Sequence, residues 1–196
     1  MGRIDSIDSA LSDADKSAAR RFAPKRRREF GAGRAIARMA LAQIGIRNAP
    51  LPVSEYKYPV WPDGTIGSIS HTSDLVGAAV AYARDYRSIG FDLEAGHAVE
   101  PEICQTIMRD NELSKAADYP DRDLATVYFS CKEAVYKAVY PSVKEFLEFL
   151  DVEIAIGQGT FSATCGHRKR SADAVNSGKG FFEQDKSLTT SLFLIE

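Results

Sequence analysis

Ile89, Phe91 and Leu93 alternate with Gly90, Asp92 and Glu94 along one short stretch of the chain. A period of two belongs to a β-strand and not to a helix, because successive Cβ atoms of a strand leave opposite faces. Ser88–Glu94 therefore reads as a strand, apolar on one side and carrying two carboxylates side by side on the other. Like charges so close repel unless a cation lies between them, and hard oxygen donors suit Mg²⁺. The plainer alternative is an amphipathic strand with a wet outer face.

The rest of the chain can be placed around this strand. Thr65–Ser70 and Leu75–Tyr82 also read as strands, separated by the turn-like His71-Thr72-Ser73-Asp74. Upstream, residues 11–46 read as helical. Pro24 interrupts them, and a second helix runs from about Arg27 to Ile44, where Gly45 ends it. Pro50, Pro52, Pro59 and the Pro62-Asp63-Gly64 turn make residues 48–64 an irregular loop. Downstream, residues 99–119 and 123–140 read as helices, the second stopping at Pro141. Strand signals follow at 152–156, 161–164 and 188–195, with a polar loop expected over 167–180. Helix, strands, helix, strands is an α+β order, and it suggests two halves, 1–96 and 97–196.

Composition narrows the class. The 196 residues carry a net charge of −2, which gives no global basicity for nucleic-acid binding. Cys104, Cys131 and Cys165 form neither a CxxC metal pattern nor a disulfide framework, so a reducing cytoplasm is the expectation. The sequence opens on a polar stretch without a signal-peptide core, and no apolar run approaches the ~20 residues of a spanning helix. The expectation is thus a cytoplasmic protein, with no nucleic-acid partner and no membrane.

Three further groups of residues could carry chemistry. On a helix over 129–140, Cys131, Ala134, Val135 and Ala138 share a small apolar face. Phe129, Glu133, Tyr136 and Tyr140 lie opposite, with Lys132 and Lys137 flanking the carboxylate. That arrangement suits a metal and a polyphosphate; it also suits an ordinary Glu133–Lys137 pair at i, i+4, worth ~0.2–0.5 kcal/mol. Ser70 and His71 end a small-residue strand and are placed either to bind phosphate or to cap a turn; no GxSxG elbow makes Ser70 a nucleophile. Finally, Lys25–Arg28 form a basic run, and Arg27, Arg34 and Arg38 share one helix face, where arginine forks would suit phosphate.

The order of these segments is more specific than any one of them. Arg27-Arg28-Glu29-Phe30 with Gly33-Arg34, the run Trp61–Thr72, Gly90-Phe91-Asp92-Leu93-Glu94 and the run Phe129–Pro141 together resemble the 4′-phosphopantetheinyl transferases. The likeness is strongest to the branch of siderophore-type (enterobactin synthase) enzymes and related actinobacterial ones, and covers residues 24–156. Phe91 stands where that pattern usually has Ile or Val, and residues after 157, including the run Gly166–Ser171, match nothing in it. The resemblance implies two similar α+β halves with coenzyme A in the cleft between them. It implies Asp92, Glu94 and Glu133 as Mg²⁺ ligands, with Glu133 or a water held by the metal as base and Lys137 as the second catalytic group. Arg26, Arg34, Ser70, His71, Asp92, Lys132, Tyr136 and Lys137 would bind coenzyme A, and loop 53–59 would border its adenine. An apo acyl or peptidyl carrier protein would be the partner and the chain would be a monomer. Two alternatives use the same residues: another metal-dependent nucleotide phosphotransferase or hydrolase, and a non-catalytic module binding anions through residues 25–38.

Overall fold

The computed structural model describes residues 1–7, 11–120, 122–166 and 169–196. Strand β1 (Gly2–Arg3) and helices α1 (Asp13–Ala18) and α2 (Pro24–Gln43) precede β2 (Thr65–His71), β3 (Leu75–Tyr82) and β4 (Ser88–Ala95). Two short helices, α3 (Cys104–Ile107) and α4 (Asp110–Ala117), lead to the long α5 (Leu124–Val143). Then come β5 (Val152–Ile156), β6 (Thr160–Cys165), α6 (Ala172–Ser177), β7 (Lys179–Gln184) and β8 (Leu188–Ile195). The fold is α+β, as the order of periods predicts. Among the described residues no helix is long and apolar enough to cross a membrane.

The strands form two antiparallel sheets, β1-β3-β2 and β4-β8-β7-β6-β5. Each is backed by one 20-residue helix, α2 on the first and α5 on the second. The sheets divide the chain between β3 and β4, ahead of the expected 96/97 boundary. β8 offers β4 a full-length partner, from Ser88 opposite Ile195 to Ala95 opposite Leu188. The edges of the two sheets, β2 and β4, then meet without a ladder. Serine hydroxyls join them instead: Ser68 Oγ donates to the Phe91 carbonyl at 3.3 Å and Ser70 Oγ to Asp92 Oδ1 at 2.9 Å.

α5 lies against β4 on its small-residue face. Cys131, Ala134, Val135 and Ala138 are fully buried, as their spacing predicts. The approach is close enough that a Cβ on Gly90 would stand 1.9 Å from the Ala134 carbonyl oxygen. Ser88, Gly90, Asp92 and Glu94 therefore face the helix, and Asp92 is 1% exposed. The wet outer face expected of an amphipathic strand does not exist here, since Ile89 and Leu93 on the other side are buried too.

Other expectations need correction. Pro141 does not stop α5, which runs on to Val143 and ends at Lys144 in the left-handed region (φ 56°). A proline this near the C-terminus removes a single ladder donor, and the Lys144 ammonium bonds the Pro141 carbonyl. The helix expected over 99–119 breaks at Met108, whose ψ of 139° is extended, and α4 starts anew with the Glu112 carboxylate accepting from the Arg109 amide at 2.7 Å. The polar loop expected over 167–180 contains α6 and the start of β7; its first two residues lie outside the described ones.

Candidate active site

The meeting of β2, β4 and α5 sets three polar side chains together. Asp92 Oδ1 receives Ser70 Oγ at 2.9 Å and Lys137 Nζ at 2.5 Å, and Lys137 Nζ also donates to Ser70 Oγ at 2.9 Å. Asp92 Oδ2, equally buried, has no partner among the described residues. An orphaned carboxylate oxygen away from water costs free energy unless something arrives to complete it. Two more carboxylates stand near. Burial, with Asp92 and then Glu133 adding repulsion against the pull of Lys137, pushes Glu94 up to about 7. Burial also raises Glu133, with Asp92 adding to it and Lys137 opposing.

Opposite this cluster α2 brings its arginine. Arg34 is 4% exposed, lies 4.8 Å from the centroid of the Phe30 ring, and has Nε and Nη1 unpartnered among the described residues. Burial lowers its pKa to about 10, with Asp15 opposing and Arg38 adding. A guanidinium held dry with free donors is a receptor for an anion. Beside it, Arg26 Nη1 lies 2.8 Å from His71 Nε2, and His71 Nδ1 lies 3.1 Å from the Thr72 carbonyl. Since a guanidinium only donates, Nε2 accepts and the ring proton sits on Nδ1, donating to Thr72.

Arg26, Arg34, Ser70, His71, Asp92, Glu94, Glu133 and Lys137 thus border one cavity of 380 Å³. A 710 Å³ groove walled by Tyr58, Trp61 and Tyr140 continues from it, with Lys57, Pro59, Ile69 and Lys137 shared. Two expected ligands lie elsewhere. Lys132 is 3% exposed and spends its ammonium on Glu112 (2.6 Å) and the carbonyls of Ile107 (2.8 Å) and Phe149 (3.1 Å), so it has no proton left for a phosphate. Tyr136 stacks on Tyr140 at 5.1 Å and borders the groove and a small apolar cavity, not the carboxylate one. The face shared by Arg27, Arg34 and Arg38 also comes apart. Arg38 pairs with Asp15 at 2.5 Å and Arg27 bonds the carbonyls of Arg20 and Phe22, leaving Arg34 alone to the cavity.

Two cavity residues escape a reading of the sequence. Glu29 stands 3.5 Å from Arg26 and 4.0 Å from His71, balancing the basic wall; it sits inside the Arg27–Phe30 segment, but a lone glutamate among arginines carries no signal of its own. Lys57 sits at φ 69° in the turn of a hairpin over 52–60, where Val60 N bonds Pro52 O and Ser54 N bonds Tyr58 O. No motif marks that loop.

Among the described residues no three Asp, Glu, His or Cys side chains stand close enough to enclose a metal ion. The three carboxylates are therefore not a preformed cage, and Lys137 holds one oxygen of Asp92. Mg²⁺ usually takes only one or two protein carboxylates and completes its shell with water and phosphate. Hard oxygen donors, an orphaned Asp92 oxygen and a Glu94 raised by burial and by the neighbouring Asp92 fit such an ion arriving with a polyphosphate.

Comparison with known families meets this geometry. Residues 14–81 match the 4′-phosphopantetheinyl transferase N-terminal domain, and residues 88–189, from β4 into β8, match the 4′-phosphopantetheinyl transferase superfamily. The chain belongs to that superfamily. Among its relatives are the 4′-phosphopantetheinyl transferase Svp of Streptomyces mobaraensis, 37% identical over 73% of this chain, and PptT of Mycobacterium tuberculosis, 36% identical over 68%. Enterobactin synthase component D of Salmonella typhi is 35% identical over 58%. Both branches suggested by the sequence are represented. The chain covers 61%, 60% and 48% of the lengths of these three relatives.

Proposed function

We propose that the chain transfers the 4′-phosphopantetheine group of coenzyme A to a serine of an apo acyl or peptidyl carrier protein. The observation that carries this reading is one cavity with the buried Arg34 guanidinium, its Nε and Nη1 without partners among the described residues, on one wall and the Asp92–Lys137–Ser70 cluster on the other. Two anion-seeking sites so arranged suit a ligand with separated phosphates. Arg34 and Arg26, the latter held in place by His71 Nε2, take the distal phosphate, and Lys137 donates to the pyrophosphate. The serine hydroxyl attacks the β-phosphorus, a new P–O bond forms, and the bridging P–O bond to adenosine 3′,5′-bisphosphate breaks. Glu133, whose affinity for a proton is raised by burial, receives the serine proton. Asp92, Glu94 and Glu133 would hold a Mg²⁺ ion arriving with the polyphosphate, and that ion would supply charge neutralisation at the pyrophosphate. The remaining work is done by positioning: phosphoryl transfer needs its oxygens held in line and the developing charge met by fixed donors. The protein acts as a monomer in the cytoplasm.

The test is incubation of the chain with coenzyme A, Mg²⁺ and a panel of apo carriers, reading the mass of each carrier. A gain equal to phosphopantetheine on at least one carrier is expected. Release of nucleotide with no carrier modified would replace this reading with a nucleotide hydrolase. Coenzyme A binding with neither product would replace it with an anion-binding module.

A further inference from the structure

We infer that Lys144 is a positioning residue for the cleft: it latches the 52–60 hairpin of the N-terminal half to the C-terminal end of α5. The hairpin is slight. It has one isolated bridge, Val53 with Pro59, and a turn that forces Lys57 to φ 69°. A two-stranded ribbon of this size is marginal by itself, so its placement depends on an anchor. Lys144 is built to be one. Its backbone adopts the left-handed cap of α5, with the amide bonded to the Tyr140 carbonyl. Its ammonium donates to the Tyr58 hydroxyl and to the Pro141 carbonyl. It also lies 4.0 Å from the Tyr58 ring centroid and 5.0 Å from that of Tyr56, two rings stacked at 6.3 Å. One cation thus joins the helix end, which favours positive charge, to two aromatic faces.

The consequence reaches the ligand through Lys57 and Pro59. Both border the carboxylate cavity and the aromatic groove, so the hairpin forms part of the wall the two share, beside Ile69 and Lys137. A loosened hairpin removes that wall from any ligand spanning both, while Asp92, Glu133 and Lys137, carried on β4 and α5, stay where they are. The latch therefore acts on binding and not on the chemical step. This rests on the reading that the cleft takes coenzyme A.

The experiment uses the full chain with Lys144→Met, which keeps the stem and the same backbone demand, Tyr58→Phe, and the pair combined. Amide exchange of Ser54, Lys57, Tyr58 and Val60 is followed in the free protein, and coenzyme A binding and turnover are measured beside it. In Lys144→Met, hairpin exchange is expected to quicken and the coenzyme A dissociation constant to rise, each about five- to tenfold, with kcat within about twofold. The double variant should be no worse than Lys144→Met, because both remove one shared bond. Unchanged exchange and binding in Lys144→Met, additive effects, or a loss confined to kcat would each overturn the latch. If Lys144→Met does not fold, Tyr58→Phe decides the same bond. Failure of the unmodified chain to bind coenzyme A would overturn the functional reading, and the exchange data would still decide the latch.

Discussion

Lys132 and Lys137 sit five residues apart on α5, and the structure uses them in opposite ways. Around Lys132 every polar atom is matched: the ammonium has three acceptors, and Glu112 accepts from Lys132, from the Arg109 amide and, at 2.7 Å, from the Ile154 amide. Around Lys137 the bonding is unfinished, since Asp92 Oδ2 has no partner among the described residues and the lysine is 26% exposed to the cavity. A closed polar network braces a fold; an open one awaits something. The buried Lys132–Glu112 pair ties α5 to α4 and β5, and so holds the helix that carries Glu133 and Lys137 to the cavity.

The contrast can be broken at its closed end first. Lys132→Met leaves Glu112 buried and charged without its cation, and loss of one partner of such a pair costs about 3–5 kcal/mol. Chemical denaturation should show that loss, while the fraction that stays folded keeps nearly its full turnover. A turnover collapse at unchanged stability would make Lys132 a phosphate ligand after all. Lys137→Ala should give the opposite pattern. One donor aimed at developing charge is commonly worth ~10²–10³ in rate, so kcat and kcat/KM fall together by that factor while coenzyme A binding, by calorimetry, weakens far less. Equal losses in both variants would erase the distinction.

Neither role can be read from the Lys-Glu-Ala-x-x-Lys spacing. At ~100° per residue the two lysines point ~140° apart, and which direction is interior depends on where α4 and the 146–152 segment pack. The small face of α5 and the alternation of β4 were legible because packing itself selects those residues. Arg34 was legible as basic but not as solitary, because Asp15 and the carbonyls that occupy Arg38 and Arg27 come from another helix and a turn. β7 escaped because its Lys179-Gly180 start extends a polar stretch, and its identity as a strand comes from pairing with β6 and β8. The break at Met108 was hidden because Arg109 does not look like an N-cap; the capping carboxylate is that of Glu112, three residues on.

Arg34 sharpens the same comparison with a smaller effect. Its unmatched donors are a cost to the free protein, so Arg34→Met should stabilise that state by about 1 kcal/mol and raise the coenzyme A KM about tenfold at little-changed kcat. Thermal melts and steady-state kinetics check the two signs; a destabilised variant would mean that Arg34 has partners in solution. The mildest test is pH. A carboxylate held near 7 when folded and near 4.5 when unfolded contributes stability that is complete below 4.5 and fades as pH rises through about 7. The metal-free protein should thus melt lower at pH 8 than at pH 5, Glu94→Gln should flatten that slope, and Mg²⁺ should recover part of the loss above pH 7. A Glu94→Gln protein with the parent's slope would assign the effect elsewhere.

Gly90 has a genetic consequence. What stands 1.9 Å from its missing Cβ is the carbonyl oxygen of Ala134, with the Ala138 nitrogen at 2.6 Å. Both are main-chain atoms, so no change of side chain on α5 can make room. A mutant at this position should have no second-site suppressor on the helix it collides with, unlike a cavity or an overpacked methyl in the core, which a neighbour can absorb. The distance between Asp92 and Lys137 is inherited from that spacing, and it can drift only if strand and helix move apart together.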